Sequence, residues 1–291
     1  MDLGLFAQLT VSGVVIGMTY ALLGVSFGVI YATTKIFHLA HAVPYATAAY
    51  AAVWASERLG LGLGLACLVG LVAGTVAGLA IEFFAYRPMV GRNATLLTIF
   101  LVSLGISVAF PNLLQIGFGP DNKNLPGFQN RTYELGSITL SRHDILSVVV
   151  SGFLILAVVL FVDRTRFGRS ITAMRTNPTM AAAVGIDRKS VYLLVLGIGS
   201  MLVSVAGLLF TLQGVASPTM GLAPVLTAFI AAFLGGIGSL RGAALGGLLL
   251  GLVSSWSALF LAVDYGPVVV FGAMFVVLLV RPQGLLGKEA V

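Results

Sequence analysis

The sequence predicts an all-α membrane protein with several spanning helices, and three observations support that fold class. Hydrophobic residues make up 58% of the 291 residues and charged residues only 9%, against about 25% charged in a typical soluble domain. Glycine, which is frequent in membrane helices, occurs 36 times. Long apolar segments recur along the whole chain. Because polar side chains are too few to cover a soluble surface, these features exclude a soluble enzyme, a nucleic-acid-binding domain and a disordered protein.

The chain contains nine candidate spans. A membrane-crossing helix needs about 20 mostly apolar residues. The segments are 5–31, 39–56, 62–85, 94–116, 145–162, 190–212, 223–238, 242–262 and 266–280. Two of them, 39–56 and 223–238, are short and interrupted, so we expect eight or nine spans. The first run lacks a basic flank and is too long for the apolar region of a signal peptide.

The distribution of Lys and Arg predicts the orientation, since these residues concentrate on the cytoplasmic side of a membrane. With the N-terminus outside and nine crossings, twelve basic residues lie inside: Lys35, Arg87, Arg92, Arg164, Arg166, Arg169, Arg175, Arg188, Lys189, Arg241, Arg281 and Lys288. Four lie outside: Arg58, Lys123, Arg131 and Arg142. We therefore expect the N-terminus outside and the C-terminus in the cytoplasm, and the net charge of +6 needs no nucleic-acid partner.

Residues 1–291 are expected to form a single transmembrane domain with two long loops. The outer loop 117–144 mixes turn-forming residues with charges. The inner loop 163–189 carries six of the sixteen basic residues. The other connections are short, so no separate soluble domain is expected.

Intramembrane charges, which usually mark ion or proton pathways, are nearly absent. Glu82 is the carboxylate embedded in an apolar stretch, and Asp264 is placed in a short turn between spans. Only Glu82, His38 and His41 could bind a coupling ion. This composition favours a solute pathway that is powered by a separate protein. The histidines form either a hydrogen-bonded pair near the inner face or part of the path lining. No metal site and no catalytic group are expected.

Glycines recur at i, i+4 spacing, which lets helix backbones approach closely in lipid. The pairs are Gly13/Gly17, Gly24/Gly28, Gly70/Gly74/Gly78, Gly242/Gly246 and Gly247/Gly251. They predict either tight packing within the chain or a subunit interface. The run 235–242 resembles a phosphate-binding loop, but that motif requires a βαβ unit. A glycine turn between two membrane helices is the better interpretation.

Two interrupted segments, 39–52 and 221–233, share a pattern of Pro followed by Thr three residues later. Interrupted helices in matching halves of a chain indicate a transporter's solute path, because their free N–H groups suit a carboxylate or carbonyl. Chance similarity between two alanine-rich helices is the alternative. The expected path residues are His41, Pro44, Tyr45, Thr47, Gly221, Pro224 and Thr227.

The inner loop contains the signature of a short surface helix over residues 178–184. Asn177 can cap a helix that begins at Pro178, since Pro is tolerated at the first helical position. Gly185 can close it as the residue beyond the C-cap. The loop is then either a plain basic membrane-surface segment or a coupling helix that fits a groove on a soluble motor protein.

Several motifs in order resemble one family. They are Tyr20–Tyr31, Glu82 with Ala85-Tyr86-Arg87-Pro88, Phe167-Gly168-Arg169 followed by Ala173-Met174-Arg175 and Asn177–Ile186, Ser217-Pro218 with Gly221, Gly235–Ser239 with Gly242, and Arg281–Leu285. The set resembles the membrane permease subunits of branched-chain amino-acid importers of the ATP-binding-cassette class, the Liv type, and within it the LivH-like members. The resemblance covers nearly the whole chain.

This resemblance implies an importer of several parts in a bacterial cytoplasmic membrane. A second homologous permease subunit, or a second copy of this chain, would pair with it in the lipid bilayer. Two cytoplasmic ATPase subunits would hydrolyse ATP-Mg, so the chain itself would hold no cofactor and catalyse nothing. A periplasmic solute-binding protein would deliver solute. In the coupling loop, the ATPase would contact Arg166, Gly168, Arg169, Arg175, Asn177, Pro178, Ala182 and Gly185.

One departure leaves the solute open. The family usually has Asn-Phe-Ala-His-Gly-Glu before its second helix, whereas Ala42 and Val43 follow His41 here. A branched-chain or related amino acid is expected, with urea, short amides or aromatic acids as alternatives. A stand-alone secondary transporter or channel for a small polar solute is the alternative to the importer, and a membrane-embedded enzyme would need a polar cluster that the sequence does not show.

Overall fold

The computed structural model describes residues 3–262 and 265–287. These residues are mostly helical, which confirms the predicted class. The helices are α1 (Leu3–Thr34), α2 (Ala42–Leu59), α3 (Leu63–Ile81), α4 (Arg87–Gly91), α5 (Leu96–Phe118), α6 (Arg142–Arg164), α7 (Arg166–Thr176), α8 (Pro178–Ala183), α9 (Arg188–Gln213), α10 (Leu222–Gly235), α11 (Leu240–Ser257) and α12 (Gly266–Val280). A 3-10 turn precedes α2 (Leu39–His41), and a π-helical segment joins α3 to α4 (Glu82–Tyr86). Asp264 and Lys288 lie outside the described residues.

Five helical stretches within the described residues are long and apolar enough to cross a membrane. They are Leu3–Thr34, Leu63–Gly91, Leu96–Phe118, Arg142–Arg164 and Arg188–Gln213. A sixth would be α10 with α11, a pair bent by 116° at the intervening break. The apolar helix α12 has only 15 residues. The chain is therefore a multi-pass membrane protein, and its eight or nine crossings and their orientation stay predictions.

The chain divides into two compact units. The first contains Met1–Gly28, Gln129–Val159 and Leu226–Val291, and the second contains Val29–Phe128 and Leu160–Val225. Helices α1, α6 and α10 each contribute to both units. That residues 1–291 act as one transmembrane domain stays a prediction.

Glycines of α1 and α11 pack against each other in the first unit. A Cβ on Gly17 would collide with the backbone of Leu248, and one on Gly251 would collide with the backbone of Gly17. Gly247 contacts the backbone of Ala21 in the same way. The small residues thus permit a close helix crossing, as expected in lipid. The prediction of tight packing within the chain is confirmed for these pairs.

Helix α2 is the buried centre of the second unit, where it packs against α3 and α9. Gly70 of α3 lies against the carbonyl of Ala48, and Gly74 lies against the carbonyl of Pro44. Gly207 of α9 lies against the backbone of Tyr45. Small residues on both neighbours therefore bring three helices within backbone contact.

The loop 117–144 contains a hairpin that the sequence did not predict. Strands β1 (Thr132–Leu135) and β2 (Ile138–Ser141) pair antiparallel, with Thr132 opposite Ser141. Gly136 takes a φ of +65° at the turn, a conformation that glycine adopts without a steric cost. The side chain of Gln8 accepts from the N–H of Thr139 at 2.7 Å and donates to its carbonyl at 3.1 Å. The hairpin is thus hydrogen-bonded to the start of α1.

Candidate functional site

A buried polar cluster lies where the chain enters α2. His38 is fully buried, and its Nδ1 is hydrogen-bonded to the Tyr86 hydroxyl at 2.6 Å. The His41 ring contacts the His38 ring edge-on, with centroids 5.2 Å apart. The N–H of Ala40 donates to the Ser103 hydroxyl of α5 at 2.9 Å. These contacts hold the 3-10 turn that leads into α2. Of the two interpretations of the histidines, a hydrogen-bonded pair or part of the path lining, the first agrees with the hydrogen bond that His38 makes.

The π-helical segment supplies Tyr86 to this cluster. A π-turn adds one residue to the helical repeat and is found frequently at functional sites. Glu82 begins the segment and is buried, and within the described residues its Oε2 has no hydrogen-bond partner. Tyr86 ends the segment and is fully buried. Glu82 and Tyr86 belong to one of the family motifs in the sequence. That motif did not indicate that Tyr86 is hydrogen-bonded to His38.

The first turns of α2 are enclosed by other elements of the second unit. The Ser204 hydroxyl of α9 lies 3.3 Å from the Pro44 carbonyl and 2.6 Å from the Ser200 carbonyl. Gly221, just before α10, packs against Ala42. The early part of α2 is therefore positioned by α3, by α9 and by the segment that leads into α10.

The break between α10 and α11 is built from glycine and is covered by the C-terminal segment. Gly236 and Gly284 both have positive φ, at +109° and +76°, and their backbones are in contact. The N–H of Leu285 donates to the Leu234 carbonyl, and that of Leu286 donates to the Gly235 carbonyl, each at 2.9 Å. The 235–242 run is thus a glycine turn between two helices, as predicted.

The loop 163–189 forms two short helices. Thr165 caps α7, accepting from the N–H of Gly168 at 3.0 Å. Asn177 caps α8, accepting from the N–H of Met180 at 3.0 Å. Gly185 closes α8 with a φ of +85°, and it donates to the Ala182 carbonyl while Ile186 donates to the Ala181 carbonyl. This pair of bonds is the Schellman motif. The predicted helix, its Asn cap and its Gly stop are therefore confirmed.

The comparison with known families decides the identity. The family described as "Branched-chain amino acid transport system / permease component" matches residues 9–279. The chain belongs to this family.

The permease is similar to named relatives over nearly its full length. It is 32% identical to the high-affinity branched-chain amino acid transport system permease protein BraD of Pseudomonas aeruginosa, over 98% of this chain and 97% of BraD. It is also 32% identical to LivH of Escherichia coli K12, a protein of the same description, over 98% and 97% of the two chains. The family resemblance inferred from the motifs is thereby confirmed.

A solved structure supports the fold. The match is a chain of "PsaBC from Streptococcus pneumoniae in complex with Fab", with a TM-score of 0.51. The similarity covers 95% of the permease and 92% of that chain at 14% sequence identity. At this identity the similarity shows the fold alone.

The seven predicted path residues have different environments in the permease. His41, Pro44, Tyr45 and Gly221 are buried. Thr47, Pro224 and Thr227 are partly exposed. The structure thus brings His41, Pro44, Tyr45 and Gly221 into one packed cluster around the start of α2. Thr227 belongs to the other unit.

The eight predicted coupling residues lie on or beside α7 and α8. Arg166, Arg169, Asn177, Pro178, Ala182 and Gly185 are exposed, whereas Arg175 is half-buried and Gly168 is buried against Val162. The sequence reading missed three exposed apolar side chains on the same surface: Phe167 at 66%, Met180 at 62% and Val184 at 73%. On α8, the spacing of Met180 and Val184 four residues apart, away from buried Ala181, is the signal that could have identified them. Phe167 had no such signal, because it lies four and seven residues from buried Ile171 and Met174.

Within residues 3–262 and 265–287, no three His, Cys, Asp or Glu side chains are grouped so that they could hold a metal ion. Asp187, outside the membrane helices, caps α9, and its hydrogen bonds from the Ser190 hydroxyl and the N–H groups of Lys189 and Ser190 hold its pKa below the usual value.

Proposed function

We propose that this permease is the membrane subunit of an ATP-driven importer that carries a branched-chain or related amino acid across a bacterial cytoplasmic membrane. The observation that carries the proposal is the family match over residues 9–279. The relatives BraD and LivH are named as high-affinity branched-chain amino acid permeases. The departure at Ala42 and Val43 keeps urea, short amides and aromatic acids as alternative solutes.

The proposed assembly has a second permease subunit, homologous or identical, two cytoplasmic ATPase subunits and a periplasmic solute-binding protein. ATP-Mg is bound and hydrolysed on the ATPase subunits. In this arrangement the N-terminus is outside, the C-terminus is cytoplasmic and the chain makes eight or nine crossings. The twelve-to-four bias of basic residues supports the orientation.

We assign the ATPase contact to α7 and α8. Phe167, Met180 and Val184 are exposed on these two helices, as are basic Arg166 and Arg169. Apolar side chains flanked by charge are typical of protein interfaces, whose centre excludes water while the rim stays polar. Both helices have capped ends, so the surface keeps a defined shape.

We propose that His41, Pro44, Tyr45, Thr47, Gly221 and Pro224, which all belong to the second unit, line the solute path, and we keep Thr227 of the first unit as a separate path expectation. The hydroxyl oxygen of Thr47 is buried and has no hydrogen-bond partner among the described side chains and backbone groups. A buried hydroxyl without a partner is costly, so a solute that reached it would relieve that cost.

The deciding experiment is purification of the permease from its native membrane in mild detergent, with mass spectrometry of the proteins that accompany it. We expect two ATPase subunits and a second polytopic protein, and solute-stimulated ATP hydrolysis after reconstitution. The ligand of the accompanying binding protein then identifies the solute. Recovery of the permease alone, with transport that depends on Glu82, would overturn the importer in favour of a stand-alone carrier.

A further inference from the structure

A polar cleft lies in the second unit where three long helices end. It has a volume of about 200 Å³ and is bordered by Thr34 at the end of α1, Leu96 at the start of α5 and Arg188 at the start of α9. Val90 and Asn93 also line the cleft. All three helices are membrane-span candidates. Their shared ends place the cleft at the level where the hydrocarbon core meets the lipid headgroups.

The cleft contains a cation that is held in one position. Arg188 Nη2 donates to the Tyr192 hydroxyl at 3.0 Å, and the guanidinium lies 4.9 Å from the centre of the Tyr192 ring. Tyr192 is only 4% exposed and donates to the Thr34 carbonyl at 3.4 Å. Because a guanidinium has five N–H donors, most remain available. Among the described residues, no carboxylate lies within salt-bridge distance of Arg188.

The charges around the cleft also favour an anion. Lys35 follows Thr34, Arg92 precedes Asn93, and both basic side chains are exposed. The nearest carboxylate in sequence, Asp187, accepts hydrogen bonds from Lys189 and Ser190 at the start of α9. Its charge is therefore used in capping that helix.

An apolar track continues from the cleft along α5. Leu96, Leu97 and Leu101 are exposed, with Leu97 at 65%. Leu97 and Leu101 lie four residues apart and so share one face of the helix. In a bilayer this face offers a surface for acyl chains. A free phosphate or an acidic protein side chain would leave it unused.

We propose that the cleft binds the phosphate group of an anionic phospholipid, with Arg188 as its hydrogen-bond donor and α5 as the support for the acyl chains. Basic pockets between membrane helices on the cytoplasmic side are typical headgroup sites. The cytoplasmic location rests on the orientation in the proposed function. Since Arg188 lies next to the last residue of the coupling loop 163–189, a bound lipid would also stabilise the membrane end of that loop.

The test is native mass spectrometry of the full-length permease in detergent, titrated with phosphatidylglycerol and with phosphatidylcholine. We expect one phosphatidylglycerol to bind in preference to phosphatidylcholine. Arg188→Gln should weaken that binding about tenfold or more, as expected for the loss of a hydrogen bond to a charged group. The matched control is Lys189→Gln, which removes the same charge beside the cleft. It should weaken binding about fivefold at most, the effect of one basic residue near an anionic surface.

A second variant separates the position of Arg188 from its charge. Tyr192→Phe keeps the ring and the charge but removes the hydroxyl that orients the guanidinium, so we expect a smaller loss of lipid binding than in Arg188→Gln. Its thermal stability in detergent is measured in parallel, because the Thr34 carbonyl also loses its donor. Retention of binding in Arg188→Gln at the level of the control, or equal binding of the two lipids, would overturn the proposal.

Two other outcomes would assign the cleft to a different occupant. Saturable binding of inorganic phosphate that abolishes lipid binding at equal concentration would identify a free-phosphate site. Displacement of the lipid by an accompanying ATPase would identify an acidic protein side chain as the occupant. None of these measurements requires transport. The lipid site can therefore fail while the importer assignment stands, and the importer assignment can fail while lipid binding is observed.

Discussion

The imidazole of His38 and the hydroxyl of Tyr86 form a buried hydrogen bond of 2.6 Å between residues 48 positions apart. His38 leads into the turn before α2, and Tyr86 ends the π-helical segment after α3. The bond therefore joins the entry of the central helix to the helix that packs beside it.

Tyr86→Phe should destabilise the permease by about 1–3 kcal/mol, because it leaves a buried imidazole nitrogen without its partner. We expect a lower unfolding temperature in detergent and a loss of solute-stimulated ATP hydrolysis in the assembled importer. Tyr133→Phe is the matched control, since Tyr133 is exposed on the hairpin. Equal unfolding temperatures for the two variants would show that the bond does not stabilise the fold.

Gly74→Ala should disrupt the contact between α2, α3 and α9. The added methyl would overlap the Ser204 hydroxyl and approach the Pro44 carbonyl, both of which are backed by other helices. Such overpacking typically costs about 1–3 kcal/mol. The control is Gly105→Ala on α5, where a Cβ would meet no atom within 4 Å and alanine should be neutral or stabilising. The comparison is made by thermal unfolding in detergent, and a neutral Gly74→Ala would contradict the close packing.

Gly185→Val should uncouple the ATPase while the membrane helices stay folded. A β-branched residue is strained at a φ of +85°, so the Schellman closure of α8 would open at a cost of about 1–2 kcal/mol. Arg169→Glu should give the same uncoupling by reversing an exposed charge beside Phe167. The measurement is solute-stimulated ATP turnover of the reconstituted importer, with Lys189→Gln as a charge control. Normal ATP turnover in both variants would show that the ATPase does not dock on α7 and α8.

Cysteine substitutions should test the proposed path in a background where the native Cys67 is replaced by Ser. We expect Thr47→Cys and Thr227→Cys to react with a small polar maleimide, and bound solute or nucleotide to change the labelling rate at least severalfold. Thr33→Cys is the buried control, since the Thr33 hydroxyl is bonded within α1 and the residue is 3% exposed. A labelling rate that changes with neither solute nor nucleotide would show that these threonines serve helix packing and do not line the path.

The cap at Asp187 should make the start of α9 sensitive to acid. Its pKa is lower in the folded protein than in the unfolded chain, because the Ser190 hydroxyl and two N–H groups stabilise the carboxylate. The stabilisation of the folded protein by the Asp187 carboxylate is thus fully present above the unfolded pKa of about 3.9 and is lost as the pH falls through the folded pKa. We expect the difference in unfolding temperature between the native permease and Asp187→Asn to shrink as the pH falls from about 6 to about 3. An unchanged difference would contradict the role of the carboxylate.

Local features were predictable because their causes are local. Asn177 caps α8 and Gly185 closes it through bonds that span no more than five residues. The glycine turn at 235–242 follows from the same kind of short-range geometry. The hairpin at 132–141 was missed because its strands are only four residues each and their polar surroundings resemble an ordinary loop.

Composition and order along the chain determined the membrane class, the helical segments, the family and the short capped helix after Asn177, since apolar length, capping residues and motif spacing are all properties of the sequence. Tertiary structure alone decided which residues meet. It buried His41, Pro44 and Tyr45 around α2, joined His38 to Tyr86, placed Gly284 against Gly236 and oriented Arg188 over Tyr192. The first three of these depend on contacts between residues distant in sequence. The fourth joins residues one turn apart, but its cleft exists only because three separate helices end together.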